Sequence, residues 1–468
     1  MFYDDLQCLN YPLPEDILKL KGFGDYARLG RVIDLRLADE NLPEALKVRL
    51  RLEKEMASRI PGDYPYGFDE ALSILQDSIE GFTAAELEEA RDLNAVDWIY
   101  VNGEVRFFDA FARNLIRTRP ALWPRVKHRE LLDEMQRDIA LREDAIREMR
   151  QNGGAARRWH MKHTLSVDGP FVRPGQEILV HLPVPLEYDY VRNFRLIAAS
   201  PEGWSVSGPL SAQRTIAFRK PLEEGDVFSV EYSFETHMPY HDLDAGRALG
   251  GLPQDGMDDA LAEQPPHIAF TPMIRRVARE IAGDETTRIR LARRIYDFLT
   301  KQPIYSLMRN YFTYPNLPEY MLTSMKGDCG VFAQTFITLC RALGIPARWQ
   351  SGRYCAPGDT GSHDWAQFYC EPWGWLPVDV SFGNAAWHQG SALRHDFYFG
   401  NLDPFRLPAC RAYQQPFDPP KRFIRWDPYD NQLGEADYAD AGLTGEQRTS
   451  RLVMLDWEVL PWNQAPEK

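Results

Sequence analysis

Residues 326–348 read KGDCGVFAQTFITLCRALGIPAR, and this stretch decides how the fold is interpreted. Asp328 is a typical helix N-cap residue, and the Gly-Ile-Pro sequence near the end is a typical helix stop. Cys329 therefore falls in the first turn of a predicted helix, where unpaired N–H groups and the helix dipole favour an anion. We expect its thiol to ionise readily and Gly330 to let a substrate backbone come close. The pattern favours a nucleophilic cysteine over a buried structural one.

Residues 362–383, SHDWAQFYCEPWGWLPVDVSFG, contain the groups that activate a cysteine nucleophile. Alternation over the first part predicts a buried strand, with His363 on one face and Asp364 on the other. A turn follows, and residues 376–383 are predicted to form a partner strand that contains Asp379. Neighbouring antiparallel strands bring such side chains within hydrogen-bond reach. A cysteine followed by a histidine and an aspartate in this order suits acyl transfer.

Taken together, the two stretches resemble the transglutaminase-like superfamily, which has a papain-like fold. The shared pattern is a Gly-x-Cys that opens a helix, a RALGIPAR exit, a His-x-Trp and an Asp after a GW-x-P-V-D turn. The likeness covers about residues 270–400. It implies that Cys329 is the nucleophile, His363 the base and Asp379 the residue that orients the base. The chain departs from many relatives at Gln367, where they carry an acid, and in a DVS sequence where they have DPT.

The resemblance leaves several reactions open, because the family includes protein cross-linkers, peptidases, amidases, deamidases and members that have lost catalysis. We expect a cysteine hydrolase of peptide or amide bonds, with a peptide, protein or amide as substrate. A protein-glutamine transglutaminase is the first alternative, since the two reactions differ only in the acceptor that meets the acyl-enzyme. A non-catalytic binding scaffold is the second, and the intact Cys, His and Asp speak against it.

Aromatic residues beside these stretches are candidates for a substrate groove, although such clusters are more often part of a core. The candidates are Tyr311, Tyr314, Trp349 and Trp365. Trp365 is also placed to shield the predicted His–Asp bond from water. We expect the Cys329 N–H to bind the oxyanion of the reaction, with a second donor from residues 311–314.

The sequence predicts no metal site and no cofactor. A zinc site formed by Cys329, His363 and Cys370 is disfavoured, because close ligand pairs such as C-x-x-C are missing. Strand alternation also directs Cys370 away from the face of His363. The GDTGSHD loop at 358–364 lacks the lysine and the following helix of a phosphate loop, which argues against nucleotide binding.

Composition narrows the class of protein further. A net charge of −14 and a pI near 5.3 argue against nucleic acid as a partner, because phosphate binding needs a concentrated basic surface. The N-terminal residues lack the basic start of a signal peptide, and no apolar stretch approaches the roughly 18 residues of a membrane span. The six cysteines have no disulfide-scaffold spacing. We therefore expect a cytoplasmic protein that does not bind membranes.

The length predicts two to four domains, and the patterns divide the chain accordingly. The fold class is α+β and multidomain. We expect a mainly helical N-terminal domain at 1–152, a β-sandwich at 153–243, a papain-like transglutaminase core with a leading loop at 244–430 and a C-terminal extension at 431–468. Residues 237–266 have the composition of a linker. Asp284 is predicted to cap the helix that follows.

Overall fold

The N-terminal region of the chain is helical, as the sequence predicts. The computed structural model describes residues 3–243 and 257–462. The helices of this region are α1 (Glu15–Gly22), α2 (Tyr26–Leu37), α3 (Glu44–Asp63), α4 (Phe68–Ser78), α5 (Ala84–Asp92), α6 (Phe111–Thr118) and α7 (Glu130–Asn152).

Two local structures in this region follow from their sequence motifs. Helix α5 begins with a capping box, in which the Thr83 hydroxyl accepts the Glu86 N–H at 3.3 Å and the Glu86 carboxylate accepts the Thr83 N–H at 2.9 Å. A hairpin consists of β1 (Trp98–Val101) and β2 (Glu104–Phe107). Asn102 and Gly103 form its tight turn with positive φ angles of 51° and 94°.

The middle of the chain forms two antiparallel sheets that face each other. Their strands are β3 (Gly154–Val167), β4 (Glu177–Pro183), β5 (Val191–Ser200), β6 (Trp204–Val206), β7 (Thr215–Pro221) and β8 (Phe228–Pro239). Ile178, Val180 and Leu182 of β4 are fully buried between the sheets. They share that core with inward side chains of β3, β7 and β8. The predicted β-sandwich is confirmed.

The part of the chain that is predicted to form the transglutaminase-like core combines helices with a third four-stranded antiparallel sheet. Its helices are α8 (Asp258–Leu261), α9 (Pro272–Ala282), α10 (Arg288–Lys301), α11 (Leu317–Ser324), α12 (Cys329–Ala342), α13 (Val380–His388) and α14 (Ala392–Phe397). Its strands are β9 (Ile304–Tyr305), β10 (Lys326–Gly327), β11 (Ala347–Ala356), β12 (Asp359–Cys370), β13 (Gly374–Val378) and β14 (Arg406–Cys410). The sheet order is β13-β12-β11-β14, and β9 pairs with β10 in parallel.

Two predicted element boundaries in the core are wrong. Asp284 does not cap α10, because the Glu285 carboxylate accepts the N–H groups of Thr286 and Thr287 at 3.0 and 2.8 Å and forms the turn itself. Asp379 does not lie within a strand. β13 ends one residue earlier, and the Asp379 carboxylate accepts the Phe382 N–H at 2.9 Å, which starts helix α13.

The end of the chain adds one strand to each sheet of the sandwich. β15 (Glu435–Tyr438) pairs with β4, and β16 (Arg448–Leu460) pairs along β3. The two sheets therefore have the orders β15-β4-β7-β6 and β16-β3-β8-β5. The predicted linker overlaps the end of β8, and its residues 244–256 lie outside the described residues. Among the residues that are described, no helix is long and apolar enough to span a bilayer.

Candidate active site

Cys329 is the first residue of α12, as predicted. The Asp328 carboxylate caps the helix by accepting the Val331 N–H at 3.4 Å, and it also accepts the Tyr311 hydroxyl. The same hydroxyl accepts the Gly330 N–H at 3.1 Å. A Cβ atom on Gly330 would overlap the Tyr311 ring, so the space expected for a substrate backbone is occupied by this tyrosine.

His363 and Asp379 form a buried hydrogen-bonded pair. His363 Nε2 lies 2.6 Å from Asp379 Oδ2, and Arg406 donates to the same oxygen at 2.8 Å. Arg406 is itself fully buried and also binds Asp403 at 2.6 Å. Burial raises the pKa of Asp379, but His363 and Arg406 outweigh it and hold that pKa well below its usual range. The carboxylate therefore remains ionised.

The His363 ring is held in the form of a general base. Burial lowers its pKa more than the Asp379 charge raises it, so the ring is neutral at pH 7. Because an ionised carboxylate only accepts hydrogen bonds, Nε2 carries the proton and Nδ1 has the free lone pair. Nδ1 has no hydrogen-bond partner within the described part of the chain. Phe382 and Trp365 contact the ring, with centroids 4.4 and 6.0 Å away, and restrict its orientation.

The two faces of β12 meet different parts of the protein, as the alternation predicts. Ala366 and Phe368 pack under α12, and the ring of Phe368 lies 5.9 Å from that of Phe336. Trp365 lies on the opposite face in a cluster with residues of α7 and α14. β13 pairs with β12 only as far as Ala366, so the strand has an unpaired edge from there toward His363.

The Cys329 thiol contacts Asp364 and not the imidazole. Its Sγ donates to Asp364 Oδ2 at 3.5 Å, and no hydrogen bond joins the thiol to His363 in the described residues. This follows from alternation, because Asp364 lies on the face of β12 that α12 covers. The structure thus pairs His363 with Asp379 and Cys329 with Asp364. His363 and Asp364 are adjacent residues of β12, so the two pairs are neighbours on this strand.

The expectation of a readily ionised thiol is wrong. Burial, followed by the charges of Asp364 and Asp328, raises the pKa of Cys329 well above its ordinary value. The Asp364 amide acts in the opposite direction but does not reverse the shift. Burial has the largest influence on the pKa of this thiol, which is protonated and 8% exposed.

Acidic groups from the C-terminal part of the chain complete the surroundings of the thiol. Asp364 Oδ1 accepts the Gln432 amide at 2.7 Å. Burial and the neighbouring carboxylates, Asp427 among them, raise the pKa values of both Asp364 and Asp430. Within residues 3–243 and 257–462, no group of three or more His, Cys, Asp or Glu side chains is arranged to hold a metal ion.

Comparison with known families identifies this part of the chain. The family model described as the transglutaminase-like superfamily matches residues 275–380. These residues form a transglutaminase-like domain. The matched range includes α12, β12 and all three residues of the predicted triad, Cys329, His363 and Asp379.

Relatives of the domain are distant. A peptide-N(4)-(N-acetyl-beta-glucosaminyl)asparagine amidase of Drosophila melanogaster is 29% identical over 113 residues, which cover 24% of this chain and 17% of the amidase. A candidate cysteine protease from Cytophaga hutchinsonii has 17% identity and a TM-score of 0.42, covering 66% of this chain and 93% of that one. The periplasmic domain of TgpA from Pseudomonas aeruginosa has 15% identity and a TM-score of 0.29, covering 54% and 96%. TM-scores of this size establish neither a substrate nor an activity.

The aromatic residues predicted to bind substrate are buried in the transglutaminase-like domain. Tyr311 contacts Asp328 and Gly330, the two neighbours of Cys329. Tyr314 packs edge-on against Tyr320, and Trp349 packs edge-on against Tyr413. Trp365 stacks on His363 and donates to the Gln350 amide oxygen at 2.6 Å. Their exposed fractions range from 0 to 9%, so their role in substrate binding stays a prediction.

Three residues of the site were not predicted from the sequence, namely Asp364, Arg406 and Gln432. The alternation of β12 did contain a signal for Asp364, since it places a charged side chain on the helix-covered face. Arg406 and Gln432 reach the site from β14 and from the segment before β15, far along the chain. No local pattern marks such residues.

Proposed function

We propose that this chain is a cysteine hydrolase of peptide or amide bonds. Cys329 attacks the substrate carbonyl, His363 transfers the proton and Asp379 orients the imidazole. The observation that carries the proposal is the buried His363–Asp379 pair, which leaves Nδ1 as a free base one residue from the contact with Cys329. The match to the transglutaminase-like superfamily supports the same assignment.

The proposed reaction begins when the thiol leaves Asp364 and gives its proton to His363 Nδ1. The proposed path of the proton runs around the edge of β12 that β13 leaves unpaired beyond Ala366. Sulfur bonds to the carbonyl carbon, and the Cys329 N–H at the start of α12 stabilises the oxyanion. The C–N bond then breaks as His363 protonates the leaving amine. Water hydrolyses the thioester with His363 as base, which releases the acid and restores the thiol.

Hydrolysis of an amide bond is favoured over transfer to an amine by the similarity to the amidase of Drosophila melanogaster. That relative is matched over only a fraction of its length, so its substrate is not carried over.

Turnover of a panel of peptides and simple amides by three variants tests the proposal. We expect Cys329→Ala and His363→Ala to abolish release of free acid, whereas Cys340→Ala, on the same helix but facing the core, retains it. Added primary amine should leave free acid as the main product. An amine-linked product as the main one would instead establish transglutaminase activity. Equal turnover by Cys329→Ala and wild type would refute a cysteine mechanism.

A further inference from the structure

The partner of the Cys329 thiol in this structure is a carboxylate. Sγ donates to Asp364 Oδ2 at 3.5 Å, while Asp364 Oδ1 is fixed by the Gln432 amide at 2.7 Å. Asp364 is 2% exposed, so both of these hydrogen bonds are buried. The predicted base, His363, is occupied with Asp379 through its other nitrogen. The resting site therefore contains an S–H···O contact to Asp364 instead of a thiolate beside an imidazolium.

We propose that Asp364 is a further catalytic residue, which holds the proton on Cys329 until substrate is bound. The proposal rests on the function proposed above and adds a stage to it. In the free enzyme, the thiol donates to Asp364 and does not react with small electrophiles at neutral pH. When a carbonyl group enters, the S–H bond breaks, the proton passes to His363 Nδ1 and the S–C bond forms.

The physical reason lies in the coupling of two acids at short range. The carboxyl group of the pair is the stronger acid, so it ionises first, and a thiolate formed next to it would place two negative charges side by side. Burial makes this second ionisation still harder, since little water screens the charges. Both effects raise the pKa of Cys329.

Other titratable groups face the pair from the neighbouring elements, and none of them is a cation. They are Tyr305 of β9, Tyr311 of the loop before α11, Asp328 at the start of α12, Cys410 of β14, and Asp427 and Asp430 of the segment before β15. A resting thiolate therefore has no positive partner among these groups. Gln432 is a positioning residue, because it binds the oxygen of Asp364 that the thiol does not use.

The test is the pH dependence of iodoacetamide alkylation of Cys329, followed by mass spectrometry of the peptide that contains it. Asp364→Asn keeps the shape of the side chain but has no acidic proton. We expect its alkylation midpoint to lie about one pH unit or more below that of wild type, because thiolate formation no longer opposes a carboxylate. Asp364→Ser serves if the asparagine variant fails to fold. The absorbance of the thiolate, taken as the difference from Cys329→Ser, gives a second reading of the same midpoint.

The matched control is Asp359→Asn, which removes a carboxyl group at the far end of the same strand, β12. Its alkylation midpoint should stay near that of wild type, because Asp364 still opposes the thiolate. An unchanged midpoint in Asp364→Asn, or an equal shift in Asp359→Asn, would overturn the role of Asp364.

The alkylation test and the turnover assay can be interpreted separately. A shifted midpoint in a chain that turns over no amide would confirm the proton-holding contact and refute the hydrolase. An unchanged midpoint in a chain that hydrolyses amides through Cys329 would refute the role of Asp364 alone.

Discussion

At the scale of single residues, Asp379 makes two contacts whose effects can be separated. It accepts from His363, the base of the proposed mechanism, and from Arg406, which is fully buried. Asp379→Asn should lower turnover roughly a thousandfold, because the amide no longer selects the Nε2–H tautomer. Asp379→Ala should also cost about 3 kcal/mol of unfolding free energy, since it leaves Arg406 with a single carboxylate partner. Turnover assays and urea denaturation measure the two effects.

Asp403→Asn is the matched control for this prediction. Asp403 is the other carboxylate partner of Arg406 and makes no contact with His363. The variant should lose a comparable amount of stability and keep its turnover once folded. A loss of turnover as large as that of Asp379→Asn would show that the buried arginine, and not the orientation of the base, limits the reaction.

The protonation of His363 sets the acid limb of the pH–rate profile. Burial lowers its pKa below the ordinary value of about 6.5, so the ring stays neutral and able to accept a proton below that pH. We expect kcat/KM to fall with a midpoint below pH 6.5. Near-ultraviolet circular dichroism at each pH separates this fall from unfolding. A midpoint above pH 6.5 would mean that the Asp379 charge outweighs burial, contrary to the structure.

The sequence specifies the residue types of the site better than their pairing. Cys329, His363 and Asp379 were predicted from a motif and from alternation. The protonation state of the thiol was not, because the helix dipole is a local feature, whereas burial and the charge of Asp364 arise only after α12 packs on β12. Local sequence patterns therefore predicted the position of Cys329 correctly and the direction of its pKa shift wrongly.

At the scale of elements, residues 411–434 connect the site to the sandwich. Glu435 is buried and binds Lys421 at 2.6 Å and Arg425 at 3.1 Å. Its carboxylate also accepts the Trp426 N–H at 2.9 Å, while the Trp426 carbonyl accepts from Arg59 of α3. This network fixes residues 411–434, which include Gln432, the residue that binds Asp364.

Glu435→Gln should therefore loosen this segment. Lys421 and Arg425 each lose an ion pair with Glu435, although Lys421 keeps its ion pair with Asp437 at 3.0 Å, and the change should lower the unfolding free energy by about 3 kcal/mol. Burial raises the pKa of Glu435, but Lys421 and Arg425 lower it to about 2, so the wild-type stabilisation is present above about pH 4.5 and is lost as pH falls toward 2. Denaturation at pH 7 and amide exchange of residues 411–434 measure both effects.

Glu458→Gln provides the control for Glu435→Gln. It breaks an ion pair with Arg158 at 2.8 Å whose side chains are 48% and 59% exposed. Exposed pairs of this kind contribute little, so its stability should equal that of wild type within about 0.5 kcal/mol. Equal losses of unfolding free energy in the two variants would show that the buried Glu435 network contributes no more stability than an exposed ion pair.

Element boundaries show where local patterns are sufficient. The N-cap and glycine stop of α12 and the alternation of β12 are local signals, and both elements were predicted. Asp379 was assigned to a strand because its neighbours are apolar, and the structure instead uses its carboxylate as an N-cap. A short apolar run does not distinguish a strand from the first turn of a buried helix.

At the scale of the whole molecule, the predicted α+β class with a helical N-terminal region, a sandwich and a transglutaminase-like core agrees with the structure. The pairing of β16 with β3 joins residues such as Arg448 and Val167, which lie far apart in sequence. No local pattern encodes such a partner. The domain boundaries at 152, 243 and 430 stay predictions.

Truncation tests the last of these boundaries. A chain that ends at residue 430 lacks β15 and β16 and exposes the edges of β3 and β4, so we expect it to aggregate or to melt well below the full chain. A chain that ends at residue 462 keeps both strands and should melt like the full chain. Equal melting temperatures for all three would show that residues 431–468 form an independent extension.

The most direct test of the central proposal is mass spectrometry of the intact protein after acid quench of its reaction with a panel of peptide amides. The account predicts a mass increase equal to the acyl part of a substrate, which peptide mapping places on Cys329. Cys329→Ala should show no such adduct, and Cys340→Ala should show it unchanged. Free acid released by the wild type with no acyl group on Cys329 at any quench time, or an adduct on another residue, would contradict the account.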